Sequence, residues 1–321
     1  MSADRNLIEV SGLTQHFGRK GWFGGGRVVR AVSNVSFGIR KGEVVALVGE
    51  SGSGKTTVGR TMLRLIEPTE GRVVYDGTDL AALPLAALRP WRRRMQYIFQ
   101  DPYASLSQRM TVGEILTEGL AIQGIGTRDE RMEKAARALD SVEMPRDALA
   151  RYPHEFSGGQ RQRLGIARAL ILEPEFIVAD EPVSALDVSI QAQIVNLLRD
   201  LQERDGLTMM LISHDLSVVE FLADTVIVLY LGRIMEMGPV DAVYGAPAHP
   251  YTKALLSAVP STAPGAKRTR TILKGDVPSP INPPSGCVFR TRCPVAMPAC
   301  AETLPPDRLV GPGHRSACLR D

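Results

Sequence analysis

The chain alternates between stretches that are apolar at every position and stretches where apolar residues return every third or fourth position. Glu43–Val48 (EVVALV) is short, rich in β-branched residues and followed by glycines, which predicts a buried strand. KTTVGRTMLRLI then continues with helical spacing and stops at the turn EPTEG. FIVAD (Phe176–Asp180), TMMLIS (Thr208–Ser213) and TVIVLYLG (Thr225–Gly232) repeat the buried-strand pattern. Between the first two of these, Ile190, Ile194, Leu197, Leu198 and Leu201 mark one face of an amphipathic helix that should end near Gly206. Strands separated by helices of this length imply an α/β fold with a parallel sheet covered on both faces. Residues from about Thr111 to Ala150 read mostly helical, as an insertion between strands. From Pro260 onward the texture changes: half of the 22 prolines fall there and regular periodicity disappears. That segment is expected to be a loop-rich tail rather than a continuation of the sheet.

Composition adds bounds rather than detail. The chain has 321 residues, 44% of them hydrophobic and 23% charged, enough for one large domain or two smaller ones. A net charge of +3 is nearly balanced and does not suggest a nucleic-acid binder. RPWRRR (Arg89–Arg94) is the densest basic run and reads as a solvated helix face or a site for acidic partners. The N-terminus, MSADRNLIEVSG, lacks a charged region followed by an apolar stretch, and no apolar run approaches the ~18 residues of a membrane span. The expectation is a soluble, cytoplasmic chain, a compartment that disfavours stable disulfides.

GESGSGKT (Gly49–Thr56) fits G-x-x-x-x-G-K-[ST] at every position, between a predicted strand and a predicted helix. Gly49, Gly52 and Gly54 let the backbone curl so that N–H groups from Glu50, Ser51, Ser53 and their neighbours, on to Thr57, face phosphate oxygens. Lys55 is expected to reach the β- and γ-phosphates and the Thr56 hydroxyl to ligate Mg²⁺. Asp180 ends an apolar strand and Glu181 follows at once, a pair that can hold the Mg²⁺ shell and polarise an attacking water. All four cysteines lie in the tail, as Cys287-x₅-Cys293-x₆-Cys300-x₁₇-Cys318. A segment so rich in proline builds little apolar core of its own, so a metal staple is expected. Zinc commonly uses a shorter Cys-x₂₋₄-Cys knuckle, whereas a [4Fe–4S] cluster takes four thiolates at varied spacing.

After the phosphate loop, YIFQD with Gln100, FSGGQRQRLGIARAL (Phe156–Leu170), PVSALD (Pro182–Asp187) and LISHD with His214, in this order, resemble the ATP-binding cassette (ABC) ATPases. The resemblance implies a P-loop NTPase (RecA-like) ABC ATPase core with an antiparallel β subdomain and a helical subdomain at about 100–155. It places the ATPase domain at 1–260 and a cysteine-containing extension at 261–321. It implies a head-to-tail pair of cassettes in which Ser157, Gly158, Gly159 and Gln160 face the γ-phosphate bound by the other subunit. In the same terms Glu181 is the general base, His214 the γ-phosphate sensor, Gln100 a ligand of metal or water, and Asp187 a link across the dimer. Phe17, in LTQHFGRK, corresponds to the aromatic that stacks on adenine, although GWFGGGRVV intervenes before the next strand.

GAPAHPYTKALLSAVP followed by GDVPSPINPPSGCVFRTRCPVAMPAC is similar to the tail of bacterial peptide-importer ATPases, with relatives for nickel, glutathione and other small solutes. This branch implies ATP and Mg²⁺ as cofactors and tips the cysteine site from zinc towards iron–sulfur. It also implies a second ATPase subunit (identical or paralogous), two membrane-spanning permease subunits and an extracytoplasmic solute-binding protein, at the inner face of the cytoplasmic membrane. A soluble repair or regulatory ABC ATPase is the alternative from another class.

Overall fold

A computed structural model describes residues 6–18, 27–259 and 271–320. The glycine-rich insertion at 21–26 and the expected domain boundary at 260/261 lie outside the described residues. In chain order the strands are β1 (Asn6–Phe17), β2 (Val29–Arg40), β3 (Val44–Val48), β4 (Glu70–Tyr75), β5 (Thr78–Asp79), β6 (Met95–Ile98), β7 (Phe176–Asp180), β8 (Thr208–Ser213), β9 (Thr225–Tyr230), β10 (Arg233–Pro239), β11 (Arg308–Gly311) and β12 (His314–Ser316). The chain divides into two compact units, one formed by 1–39, 44–81 and 213–321, the other by 40–43 and 82–212.

The first unit holds an antiparallel sheet in the order β2-β1-β4-β5, with β1 and β4 in register from Ile8 opposite Tyr75. In β2, Val35, Phe37 and Ile39 are buried while Asn34, Ser36 and Arg40 are exposed, the period-2 pattern of a half-covered sheet. A second ribbon runs β11-β12-β10-β9-β3, where β3 and β9 are parallel and the rest antiparallel. All five residues of β3 are buried, which is why its sequence shows no alternation.

The tail departs from the expectation of a segment outside the sheet. β11 and β12 form a hairpin, and β12 pairs with β10 through Glu236 opposite Ser316. Strands of four and three residues are too short to show periodicity. What holds them is the backbone of β10 and a buried contact, His314 Nε2 to Glu236 Oε1 at 2.7 Å. The same carboxylate accepts the N–H groups of Ala248 and His249, so it anchors two segments at once.

The second unit carries three parallel strands in the order β6-β7-β8, with Phe176 opposite both Met95 and Thr208. Helices Val112–Gln123 and Arg128–Ser141 begin with reciprocal capping pairs, Thr111 with Glu114 and Thr127 with Glu130. The helix Val188–Asp205 buries Ile194, Leu197, Leu198 and Leu201 as its spacing requires, and it ends at Gly206 with φ 62°.

Candidate functional site

Each unit carries its own share of the candidate residues. In the first, the phosphate loop leaves β3 and enters the helix Lys55–Met62. Gly49 (φ 152°), Gly52 (78°) and Gly54 (104°) take backbone angles that other residues adopt at a cost. Space is as restrictive: a Cβ on Gly49 would lie 2.1 Å from the Leu229 carbonyl, and one on Gly54 2.3 Å from that of Ala31. Lys55 is 6% exposed, and its Nζ donates to the carbonyls of Gly49 (2.7 Å) and Glu50 (3.1 Å), which holds the ammonium inside the curl of the loop. Ser53 is buried, with its carbonyl accepting from Gly232 N–H at 2.8 Å; Ser51 is exposed, and Thr56 and Thr57 are half-buried. The helix starts from Gly54, which has no side chain to cap it, so its leading N–H groups are presented by the backbone of the loop.

Phe17 ends β1 and is 39% exposed. His214 is exposed, directly after β8.

In the second unit, β7 delivers Asp180 buried at 1% exposure and Glu181 at the strand end with φ 46°. A non-glycine residue in that region is strained, a feature that concentrates at functional sites. Gln100 Nε2 donates to Glu181 Oε2 at 2.8 Å, joining two of the expected catalytic residues across 81 positions of sequence. Tyr97, which sequence reasoning missed, donates its hydroxyl to Asp180 Oδ2 at 2.6 Å in a buried environment. Only its location on a strand three residues before Gln100 could have pointed to it.

Ser157 caps the helix Gly158–Leu170. Its hydroxyl accepts the Gln160 N–H, and the Gln160 side chain accepts the Ser157 N–H. Gly158 lies against Leu186 and Gly159 against Ile190, on either side of Asp187 in the chain, so signature and Asp187 segments pack together. The RPWRRR run forms a helix that buries none of its residues: Arg94 grips Glu175 at 2.9 and 2.8 Å and Arg89 donates to the Ile122 carbonyl, while Arg92 and Arg93 are exposed.

The four cysteines converge. None of the four is in a disulfide, and together with His249 and Phe289 they line one cavity of about 10 Å³, room for a single water-sized occupant. Burial, then the neighbouring thiols, pushes Cys287 above the ordinary thiol pKa. Cys293 is raised as well, again chiefly by burial. As they stand, however, these thiols do not fit a metal. Among the described residues no group of three or more His, Cys, Asp or Glu is arranged to hold an ion, and the cavity is too small for a four-iron cubane.

Residues 32–184 match the ABC transporter family, and residues 235–300 match the oligopeptide/dipeptide transporter C-terminal region. A Brucella ovis protein named for peptide import as an ATP-binding protein is 65% identical over 315 residues, 98% of each chain. The oligopeptide transport ATP-binding protein AppF of Bacillus subtilis is 53% identical over 90% of this chain and 89% of that one. Among solved structures, a dimeric bacterial ABC transporter cassette superposes with a TM-score of 0.66 at 32% identity, covering 73% of this chain and 99% of the cassette. Among the described residues no helix is long and apolar enough to cross a membrane.

Proposed function

The chain belongs to the ABC transporter ATPases, in their oligopeptide/dipeptide import branch, and from that membership we propose how its residues work. It is the ATP-hydrolysing subunit of an importer whose other components are a permease, a solute-binding protein and a second ATPase subunit. The observation that carries the peptide branch is the pairing, in one chain, of the cassette match with the C-terminal-region match. Nothing observed favours nickel, glutathione or a soluble repair role over it. The protein acts at the inner face of the cytoplasmic membrane, bound peripherally to its permease.

Lys55 and the loop N–H groups hold the ATP phosphates, and Phe17 stacks on adenine. Thr56, Asp180 and Gln100 are the residues that would hold Mg²⁺, which would supply charge neutralisation at the phosphates. Glu181 takes the proton of the attacking water, supported by its strand-end position and its bond with Gln100. His214 contacts the γ-phosphate, while Ser157, Gly158, Gly159 and Gln160 receive the nucleotide of the other subunit and Asp187 communicates across the pair. Glu181→Gln keeps the shape but cannot act as base. Turnover should fall by ~10²–10⁴-fold while ATP and Mg²⁺ still bind, leaving an ATP-bound dimer visible by size-exclusion chromatography. Hydrolysis at the wild-type rate would remove Glu181 from the role.

For the tail we propose a [4Fe–4S] cluster on Cys287, Cys293, Cys300 and Cys318, supported by the convergence of the four cysteines and held only once the cavity between them has opened beyond its present size. Loading requires the thiols to move apart and lose their protons, and would add binding energy to the folding of the tail. Anaerobic purification with iron, sulfide and zinc analysis tests it: four irons and four sulfides per chain are expected. One zinc per chain, or four titratable thiols without metal, overturns the cluster.

A further inference from the structure

Glu50, the second residue of the phosphate loop, is held at three points. Its carbonyl accepts from Lys55, and its N–H donates to the Tyr251 hydroxyl at 2.9 Å. Its carboxylate is gripped by both terminal nitrogens of Arg292, at 2.6 and 3.2 Å. Arg292 belongs to the cysteine tail, directly before Cys293, and its side chain is only 9% exposed. Burial disfavours the guanidinium charge, but the Glu50 carboxylate outweighs that and holds its pKa above the ordinary value. Phe289 of the tail packs beside the grip, its ring 5.2 Å from Tyr251 and 5.3 Å from Tyr230, and the Arg292 N–H donates to the Phe289 carbonyl.

A carboxylate in an anion-binding loop is an electrostatic contradiction, because it weakens the positive field that attracts phosphates. A bidentate guanidinium removes that contradiction and fixes the backbone that carries the loop N–H groups. We propose that Arg292 is a positioning residue for the nucleotide site: by neutralising and orienting Glu50, it makes ATP affinity depend on the docked cysteine tail. The inference rests on the phosphate-loop reading of Gly49–Thr56.

The test measures equilibrium ATP·Mg²⁺ binding, and KM and kcat for ATP hydrolysis, on the full-length chain. Arg292→Ala exposes the loop to an unpaired carboxylate and should weaken ATP binding roughly ten-fold, with kcat changing less than KM. Because the cause is charge, the defect should shrink as salt is raised. Glu50→Gln should act in the opposite direction. It leaves Arg292 as an unpaired cation beside the loop, and ATP should bind about two- to five-fold tighter. The double variant should lie within about three-fold of wild type. A purely structural contact would instead make both single variants weaker. Unchanged or weakened binding in Glu50→Gln, or a double variant as weak as Arg292→Ala, overturns the proposal. If Arg292→Ala does not fold, the sign of the Glu50→Gln effect decides alone. Lys55→Ala separates the two readings: if it binds ATP normally, the loop assignment itself has failed.

Discussion

Two helix N-termini in this protein contain glycine and carry proposed phosphate-binding residues, yet they are built differently. The helix Lys55–Met62 starts from a left-handed Gly54, has no side-chain cap and encloses a buried lysine. The helix Gly158–Leu170 starts from Ser157 in extended conformation, with a complete reciprocal cap on an exposed surface. In the first, the leading N–H groups are presented by a backbone that only glycine can follow. In the second, the Ser157 hydroxyl already satisfies one N–H and holds the helix start in place. The difference is between a helix start held rigidly by its own backbone and one held by an exposed side-chain cap.

Gly54→Ala attacks the first design where it is stiffest. The added Cβ would meet the Ala31 carbonyl at 2.3 Å while the residue stays at φ 104°. Left-handed strain alone costs ~1–3 kcal/mol, and a backbone clash adds to it. ATP binding by calorimetry should be lost and the melting temperature lowered; ATP affinity within a few-fold of wild type would show that the loop tolerates another path.

Ser157→Ala removes the cap of the second helix, which should cost about 1 kcal/mol of stability by denaturant unfolding. ATP should still bind each chain, and ATP-driven pairing should weaken. If pairing is stronger instead, the cap competes with phosphate more than it prepares the site.

The smallest effect is expected at Gly159→Ala. Its Cβ would meet the Ile190 Cγ2 at 2.5 Å, a side-chain atom rather than a carbonyl, and alanine favours helix. A stability change below about 1 kcal/mol is expected, recovered by Ile190→Ala in a double-mutant cycle. A loss as large as that of Gly54→Ala would abolish the contrast between rigid and adaptable ends.

Much of this contrast was legible in the chain. GESGSGKT and FSGGQ carry their chemistry in a few consecutive residues, because the angles of a tight loop and the N–H groups of a helix start are local properties. The buried strands β3, β7, β8 and β9 were legible for the same reason, as apolar runs too short for helices. The tail hairpin was not, since β11 and β12 are defined by a partner strand rather than by their own pattern.

The sequence by itself determined which residues could bind phosphate, hold Mg²⁺ and take a proton, because each role needs a particular side chain in a particular local backbone. Tertiary structure decided which of them meet. Gln100 reaches Glu181, Tyr97 reaches Asp180, and Arg292 reaches Glu50 across 242 residues. Nothing near Arg292 in the chain marks it, because an ion pair is made by chain closure and carries no periodicity of its own. The same closure gathers the four cysteines around one small cavity, a meeting that their spacing in the chain does not record.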